Sequence, residues 1–348
     1  MSTIPQSHPP VHIGVDIAKA SFQADLQWKS RNFPNTPTGH RKLAAALPAG
    51  AFIVMEATGS YHLALLRFLH SSAIPAAVVN PTRVRAFAKA IGIMAKTDPV
   101  DAALLSRFGA ATQPPAAVAP HPDRAALKEL CTVRDALLTE SINWTNLAEH
   151  HQTKEARRFA QTRLAQVKRD LAKVEKRIGV LLRASRELSA AAGVLLDCKG
   201  VGPVTTAILL SSMPELGHLN RSEAGSLAGL APYANDSGSH NGKRRIRAGR
   251  PRVKRALYLA ALSGVRYHPT LRPYYKSLRD RGKLPKVALV AVARKLLTIL
   301  NAKLKEFYQA QMQQDNAVAT IALAGAMASA ENGAITSSEA ERHGDPSP

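Results

Sequence analysis

The hydrophobic pattern divides the chain into stretches of different period. Val11–Ala18 (VHIGVDIA) is a short β-branched run, and Ser21–Trp28 alternates apolar and polar positions as a partner strand does. Thr38–Leu47 has helical spacing. Ala51–Ala57 (AFIVMEA) reads as a second buried strand, and Tyr61–His70 places Leu63, Leu66 and Leu69 at helical intervals. Ala76–Val79 reads as a short strand, stopped by Asn80-Pro81. Asp98–Phe108 reads as a helix that tolerates Pro99 in its first turn. Strands followed by helices in this order predict an α/β sheet domain over residues 11–112.

The pattern then changes. Residues 113–122 hold four prolines and read as a linker. A long helical tract follows, and Leu164, Val167, Leu171, Val174, Ile178 and Leu181 repeat at alternating steps of three and four. That stripe predicts a coiled-coil hairpin over residues 123–190, with a polar turn near His150–Arg158 and the heptad as an assembly surface. An ordinary helical hairpin packed on the body is the alternative. Residues 191–310 read as a mostly α-helical C-terminal domain. Residues 1–10 read as a disordered leader, and residues 311–348 as a disordered acidic tail in which Ala317–Ser329 could form a helix.

Composition adds a partner. The 348 residues include 47 Lys or Arg and 25 Asp or Glu, for a net charge of +22. Beyond residue 310 only Arg342 is basic, against Asp315, Glu331, Glu339, Glu341 and Asp345. The body therefore carries +26, which attracts polyanions and makes nucleic acid the default partner. Two cysteines, Cys131 and Cys198, exclude a disulfide scaffold and suit a reducing cytoplasm. No apolar run reaches the length of a membrane span, and the N-terminus lacks a signal-peptide pattern.

The candidate chemistry begins with acids. Asp16 lies near the end of the first strand, and Glu56 near the end of AFIVMEA. Asp98 and Asp101 stand three apart at a helix start, so they share a helix face. Four converging carboxylates repel unless a cation lies among them, and Mg²⁺ or Mn²⁺ suits an all-oxygen site. Two such ions about 4 Å apart can clamp the attacking and leaving oxygens of phosphoryl transfer. Alone, an acid at a strand end is also an ordinary turn residue, and Asp98 could simply cap its helix.

The C-terminal half has two motifs. Lys199-Gly200-Val201-Gly202-Pro203 precedes an apolar helix and resembles a helix-hairpin-helix turn, with Gly200 and Gly202 offering backbone N–H groups to phosphate. A tight helix–helix turn is the alternative. The second motif, Ser237-Gly238-Ser239-His240-Asn241-Gly242, opens onto Lys243, Arg244, Arg245, Arg247, Arg250, Arg252, Lys254 and Arg255 without an intervening acid. A hydroxyl beside fixed cations is suited to attack phosphorus, because the cations stabilise the developing charge. A flexible loop that only grips phosphates is the bland reading. Ser239 competes with Ser237, and His240 is a weak candidate general base.

The runs IGVDIAK, VMEATGSYH and KTDPVDA resemble the DEDD-type insertion-sequence transposases, and SGSHNGKRRIRAGRPRVKRALYLAAL resembles their second domain. The resemblance implies an α/β, RNase H-like (RuvC-like) N-terminal domain whose metal-binding acids fall on Asp16, Glu56, Asp98 and Asp101. It implies Ser237 as nucleophile and Mg²⁺ or Mn²⁺ as cofactor. Nucleic-acid contacts are expected from Lys96, Gly200, Gly202, Lys243, Arg244, Arg245, Arg247, Arg250 and Arg252. The family has pilin-gene invertases among its relatives. It further implies donor and target DNA, a structured guide (bridge) RNA and a homo-oligomer as partners, with no membrane. A RuvC-type nuclease using water, and a non-catalytic nucleic-acid-binding oligomer, are the rival expectations.

Overall fold

The computed structural model describes residues 10–27, 29–57, 59–93, 97–118, 121–233, 236–237, 240–241 and 244–340. The chain forms two compact units, residues 1–120 and 121–348, divided inside the proline-rich linker.

The first unit holds β1 (Val11–Ile17), β2 (Ser21–Leu26), β3 (Lys29–Pro34), α1 (Pro37–Ala46), β4 (Ala51–Glu56), α2 (His62–Ser71), β5 (Ala76–Val79), α3 (Pro81–Ala90) and α4 (Asp98–Thr112). Its sheet has the order β3-β2-β1-β4-β5. β1, β2 and β3 pair antiparallel, whereas β4 and β5 continue parallel to β1. This mixed sheet is consistent with the RNase H-like fold.

Alternation along the strands sorts the side chains into two layers. Ile13, Val15, Ile17, Ile53 and Met55 face one core with Leu43 of α1 and Leu65, Leu66 and Leu69 of α2. Val54, Ala77 and Val79 face the other, against Val84 and Ala88 of α3 and Leu104, Leu105 and Phe108 of α4. β3 and α3 were absent from the sequence expectation. β3 is a polar edge strand that buries only Phe33. The Asn80-Pro81 stop is a helix start: Asn80 caps α3 by accepting from the Thr82 N–H at 2.8 Å, with Pro81 at the first helical position. The linker is seated rather than loose, since the Ala117 N–H donates to the Ala76 carbonyl at 2.7 Å.

The second unit opens with two long helices, α5 (Pro122–His150) and α6 (Lys154–Ala184). Arg134 pairs with Glu175, Arg163 with Glu140, and Trp144 meets Phe159 edge-on, so they run antiparallel as a hairpin. The heptad stripe is this hairpin's inner face. Ile178 is fully buried with Leu127 and Cys131 of α5, and Val174 and Leu181 pack on the same core. The C-terminal part of the stripe, Val174, Ile178 and Leu181, thus packs within the chain, while Leu164 and Leu171 remain partly exposed.

α7 (Ser189–Leu196), α8 (Pro203–Ser212), α9 (Arg221–Leu227), α10 (Pro251–Tyr267), α11 (Leu271–Asp280) and α12 (Pro285–Ala340) complete the unit. Two short hairpins lie between α9 and α10: β6 (Pro232–Tyr233) pairs with β9 (Arg245–Ile246), and β7 (Asp236–Ser237) with β8 (His240–Asn241). α12 continues to Ala340, so the described part of the tail is helical, and residues 341–348 lie outside the described residues. The alanine-rich composition favours helix once a packed segment has supplied the nucleus. Among the described residues no helix is long and apolar enough to cross a membrane.

Candidate active site

Strand register brings the first two acids together. β1 and β4 pair parallel from Val11↔Ala51 to Val15↔Met55, so Asp16 and Glu56 follow side by side at the strand ends. Both lie on the face that carries Val54 and α4. Gly14 lets that helix come in close. A Cβ at Gly14 would stand 2.0 Å from the Ala102 carbonyl oxygen and 2.5 Å from the Ser106 nitrogen. The Gly14 N–H instead donates to the Ser106 Oγ at 2.7 Å, pinning α4 to β1. Gly109, further along, is packed against Val54 and His12. α4 therefore runs antiparallel to β1 and presents its N-terminus, with Asp98 and Asp101, at the end of β1 that bears Asp16. Acids at a helix N-terminus are also stabilised by the helix dipole.

The four carboxylates share one electrostatic neighbourhood. Asp16 is raised above the usual carboxylate range, first by burial and then by the charges of Asp101, Asp98 and Glu56. Asp101 is asymmetric: its Oδ2 pairs with Arg85 of α3 at 3.4 Å, whereas its buried Oδ1 has no hydrogen-bond partner. Among the described residues no three metal-ligating side chains close on a single point. An oxygen-rich set with an orphaned buried carboxylate oxygen fits a hard divalent cation. Arg85 was missed by sequence reasoning. It lies sixteen residues from Asp101, and only the α3–α4 packing pairs them.

The segment carrying Ser237 has a built root. Gly229 and Gly249 cross so closely that a Cβ on Gly249 would stand 2.1 Å from the Gly229 nitrogen, and both have positive φ, +70° and +72°. Above that crossing, β6 and β9 pair Pro232↔Ile246 and Tyr233↔Arg245. Beyond them, β7 and β8 set the Ser237 backbone opposite His240. Ser239, Lys243 and Lys96 lie outside the described residues. Arg244, Arg245 and Arg247 are exposed beside this segment.

Arg250 and Arg252 are engaged inside the chain. Arg250 makes a bidentate pair with Glu215, 2.7 Å at each nitrogen, and donates to the Ser212 carbonyl. Burial pushes Glu215 up, but the Arg250 hydrogen bonds, a backbone hydrogen bond and the Arg250 charge together outweigh it and hold the carboxyl below its usual range. Arg252 donates to Asp135 at 2.8 Å and to Thr132 on α5. Both side chains stay partly exposed while making these contacts. Gly200 (φ +97°) faces Gly264 of α10, where a Cβ would meet backbone at 2.8 Å. Gly202 stands before α8 with open space beside it.

A carboxylate centre on a mixed sheet, in a chain of net charge +22, is the layout of an enzyme that handles nucleic acid. Two protein-family models match in tandem. A DEDD-type transposase model covers residues 13–153, and the transposase model of the IS116/IS110/IS902 family covers residues 192–276. Both models describe transposases, and with the relatives below they support an enzyme that acts on DNA. It is 28% identical to a pilin gene-inverting protein of Moraxella bovis over 85% of this chain and 96% of that protein. An uncharacterized 43.6 kDa protein of insertion element IS110 from Streptomyces coelicolor is 37% identical over 40% of this chain and 34% of its own length. An uncharacterized 42 kDa protein of insertion element IS900 from Mycobacterium paratuberculosis is 42% identical over 23% and 20%.

Proposed function

We propose that this protein is a transposase acting as a metal-dependent, site-specific DNA recombinase with a serine nucleophile. The observation that carries the metal half is the coupling of Asp16 to Asp101, Asp98 and Glu56 beside an orphaned Asp101 oxygen. Those four residues would hold Mg²⁺ or Mn²⁺, which supplies polarisation of the scissile phosphate. The Ser237 hydroxyl attacks phosphorus, and the P–O bond to one DNA strand breaks as the Ser–O–P bond forms. The departing oxygen leaves as that strand's hydroxyl after taking up a proton. A hydroxyl from another strand then attacks the phosphoserine and regenerates Ser237. The number of phosphodiesters is unchanged, so no nucleotide hydrolysis is required. Arg244, Arg245 and Arg247 grip the flanking phosphates.

Target choice is assigned to a structured RNA encoded by the element and paired to donor and target DNA. A net charge of +22 is enough to hold RNA and DNA together. The active form is a homo-oligomer in the cytoplasm, with one subunit's carboxylates serving another's Ser237. The test is recombination between an element junction and its target, with Asp16→Asn and Ser237→Ala alongside. Both substitutions abolish product if the proposal is right. Full cleavage by Ser237→Ala would leave a nuclease that uses water. Recombination by protein freed of RNA would remove the guide.

A further inference from the structure

A single side chain ties together the segments that follow the two strand-end acids. Asn35 follows β3, at the same edge of the unit as the ends of β1 and β4. Its Nδ2 donates to the Ala18 carbonyl at 3.1 Å and to the Tyr61 carbonyl at 3.2 Å. Ala18 lies two residues beyond Asp16, and Tyr61 five beyond Glu56. The Asn35 backbone N–H also donates to the Ala20 carbonyl at 2.9 Å, in the same β1–β2 turn.

The amide can sit only one way round. Two carbonyl oxygens require the NH₂ group, so the Asn35 Oδ1 faces the His40 Nε2 at 2.9 Å, and that nitrogen must donate. His40 is itself fixed. It is 3% exposed in α1 and lies between the rings of Phe22 and Phe68, at 5.9 and 5.7 Å. The chain of support runs from the core through His40 and Asn35 to the backbone behind both acids.

We infer that Asn35 is a positioning residue for the metal site, tying together the segments that follow Asp16 and Glu56. This rests on the metal-site reading proposed above. Loss of a hydrogen bond made directly to a metal ligand typically costs roughly 10–100-fold in affinity, and the low end of that range is expected for a support that acts through the neighbouring backbone. Asn35→Asp is the sharp probe. It keeps the volume and the acceptor toward His40, but replaces the two donors with an oxygen facing two carbonyls. Asn35→Ala removes the bonds without that repulsion.

The experiment titrates the full-length protein with Mn²⁺ alone and reads free Mn²⁺ by electron paramagnetic resonance, with circular dichroism confirming each fold. The wild type should bind Mn²⁺, Asp16→Asn should not, and both Asn35 variants should bind at least about tenfold more weakly. Wild-type Mn²⁺ affinity in either folded Asn35 variant overturns the inference and leaves the metal site standing. Absence of Mn²⁺ binding by the wild type overturns both. If Asn35→Asp does not fold, the folded Asn35→Ala decides.

Discussion

Gly14→Ala tests the seating of α4, on which the geometry of the acids depends. The added Cβ would lie 2.0 Å from the Ala102 oxygen and 2.5 Å from the Ser106 nitrogen. Both are helix backbone, so no side-chain rotation can relieve the clash, and α4 must move. Overpacking of this kind costs about 1–3 kcal/mol. Displacing α4 also stretches the Gly14–Ser106 hydrogen bond of 2.7 Å, worth about 1 kcal/mol. The expected loss is therefore about 2–4 kcal/mol, a large part of the roughly 5–15 kcal/mol of a typical domain. Ser106→Ala removes the hydrogen bond alone and should cost about 1 kcal/mol. Urea unfolding followed by circular dichroism reads both. DNA cleavage should fall further than stability implies, since a shift of about 1 Å in catalytic groups can cost about 100-fold. A Gly14→Ala midpoint equal to wild type, with unchanged cleavage, would refute the close approach of α4 to β1.

The remaining predictions concern the acids, the serine segment and its anchor. In EDTA, Asp16→Asn should raise the melting temperature, because it relieves burial of a charge facing Asp101, Asp98 and Glu56; a lower value measured by calorimetry would contradict the crowding of those groups. Gly249→Ala should abolish strand exchange, since its Cβ meets the Gly229 backbone at a φ of +72°, while metal binding at the other unit persists; normal exchange would count against the crossing as the root of the segment. Acid should loosen the Arg250–Glu215 anchor. Glu215 is held below 4.5 in the folded chain, so its contribution is present above that value and is lost as pH falls through the folded value. Unfolding of Glu215→Gln should accordingly depend less on pH below about 5 than that of wild type, and equal slopes would sink the point.

Much of the first unit was legible because burial leaves a period. β1, β4 and β5 are apolar runs, and Asp16 and Glu56 stand out as acids closing two of them. The pairing that sets them side by side was an inference from topology, and the parallel register now supplies it. β3 was not legible because KSRNFP is an edge strand with one buried residue. α3 was hidden because a proline at a helix start and a proline at a strand stop read alike. The α6 heptad showed a helix face but not its neighbours, and Val174, Ile178 and Leu181 pack on the core that holds Leu127 and Cys131 of α5. Likewise a run of arginines shows charge, not partners. Arg250 and Arg252 pair with Glu215 and Asp135, which are distant in sequence.

The central claim is a metal-dependent serine recombinase, and a covalent trap tests it most directly. Labelled DNA carrying the element junction is incubated with the protein, its cognate RNA and Mg²⁺, then run on a denaturing gel beside Ser237→Ala and Asp16→Asn. The account predicts a protein–DNA adduct that disappears in both variants. Cleavage without an adduct, undiminished in Ser237→Ala, would contradict it and leave Ser237 as part of a DNA grip.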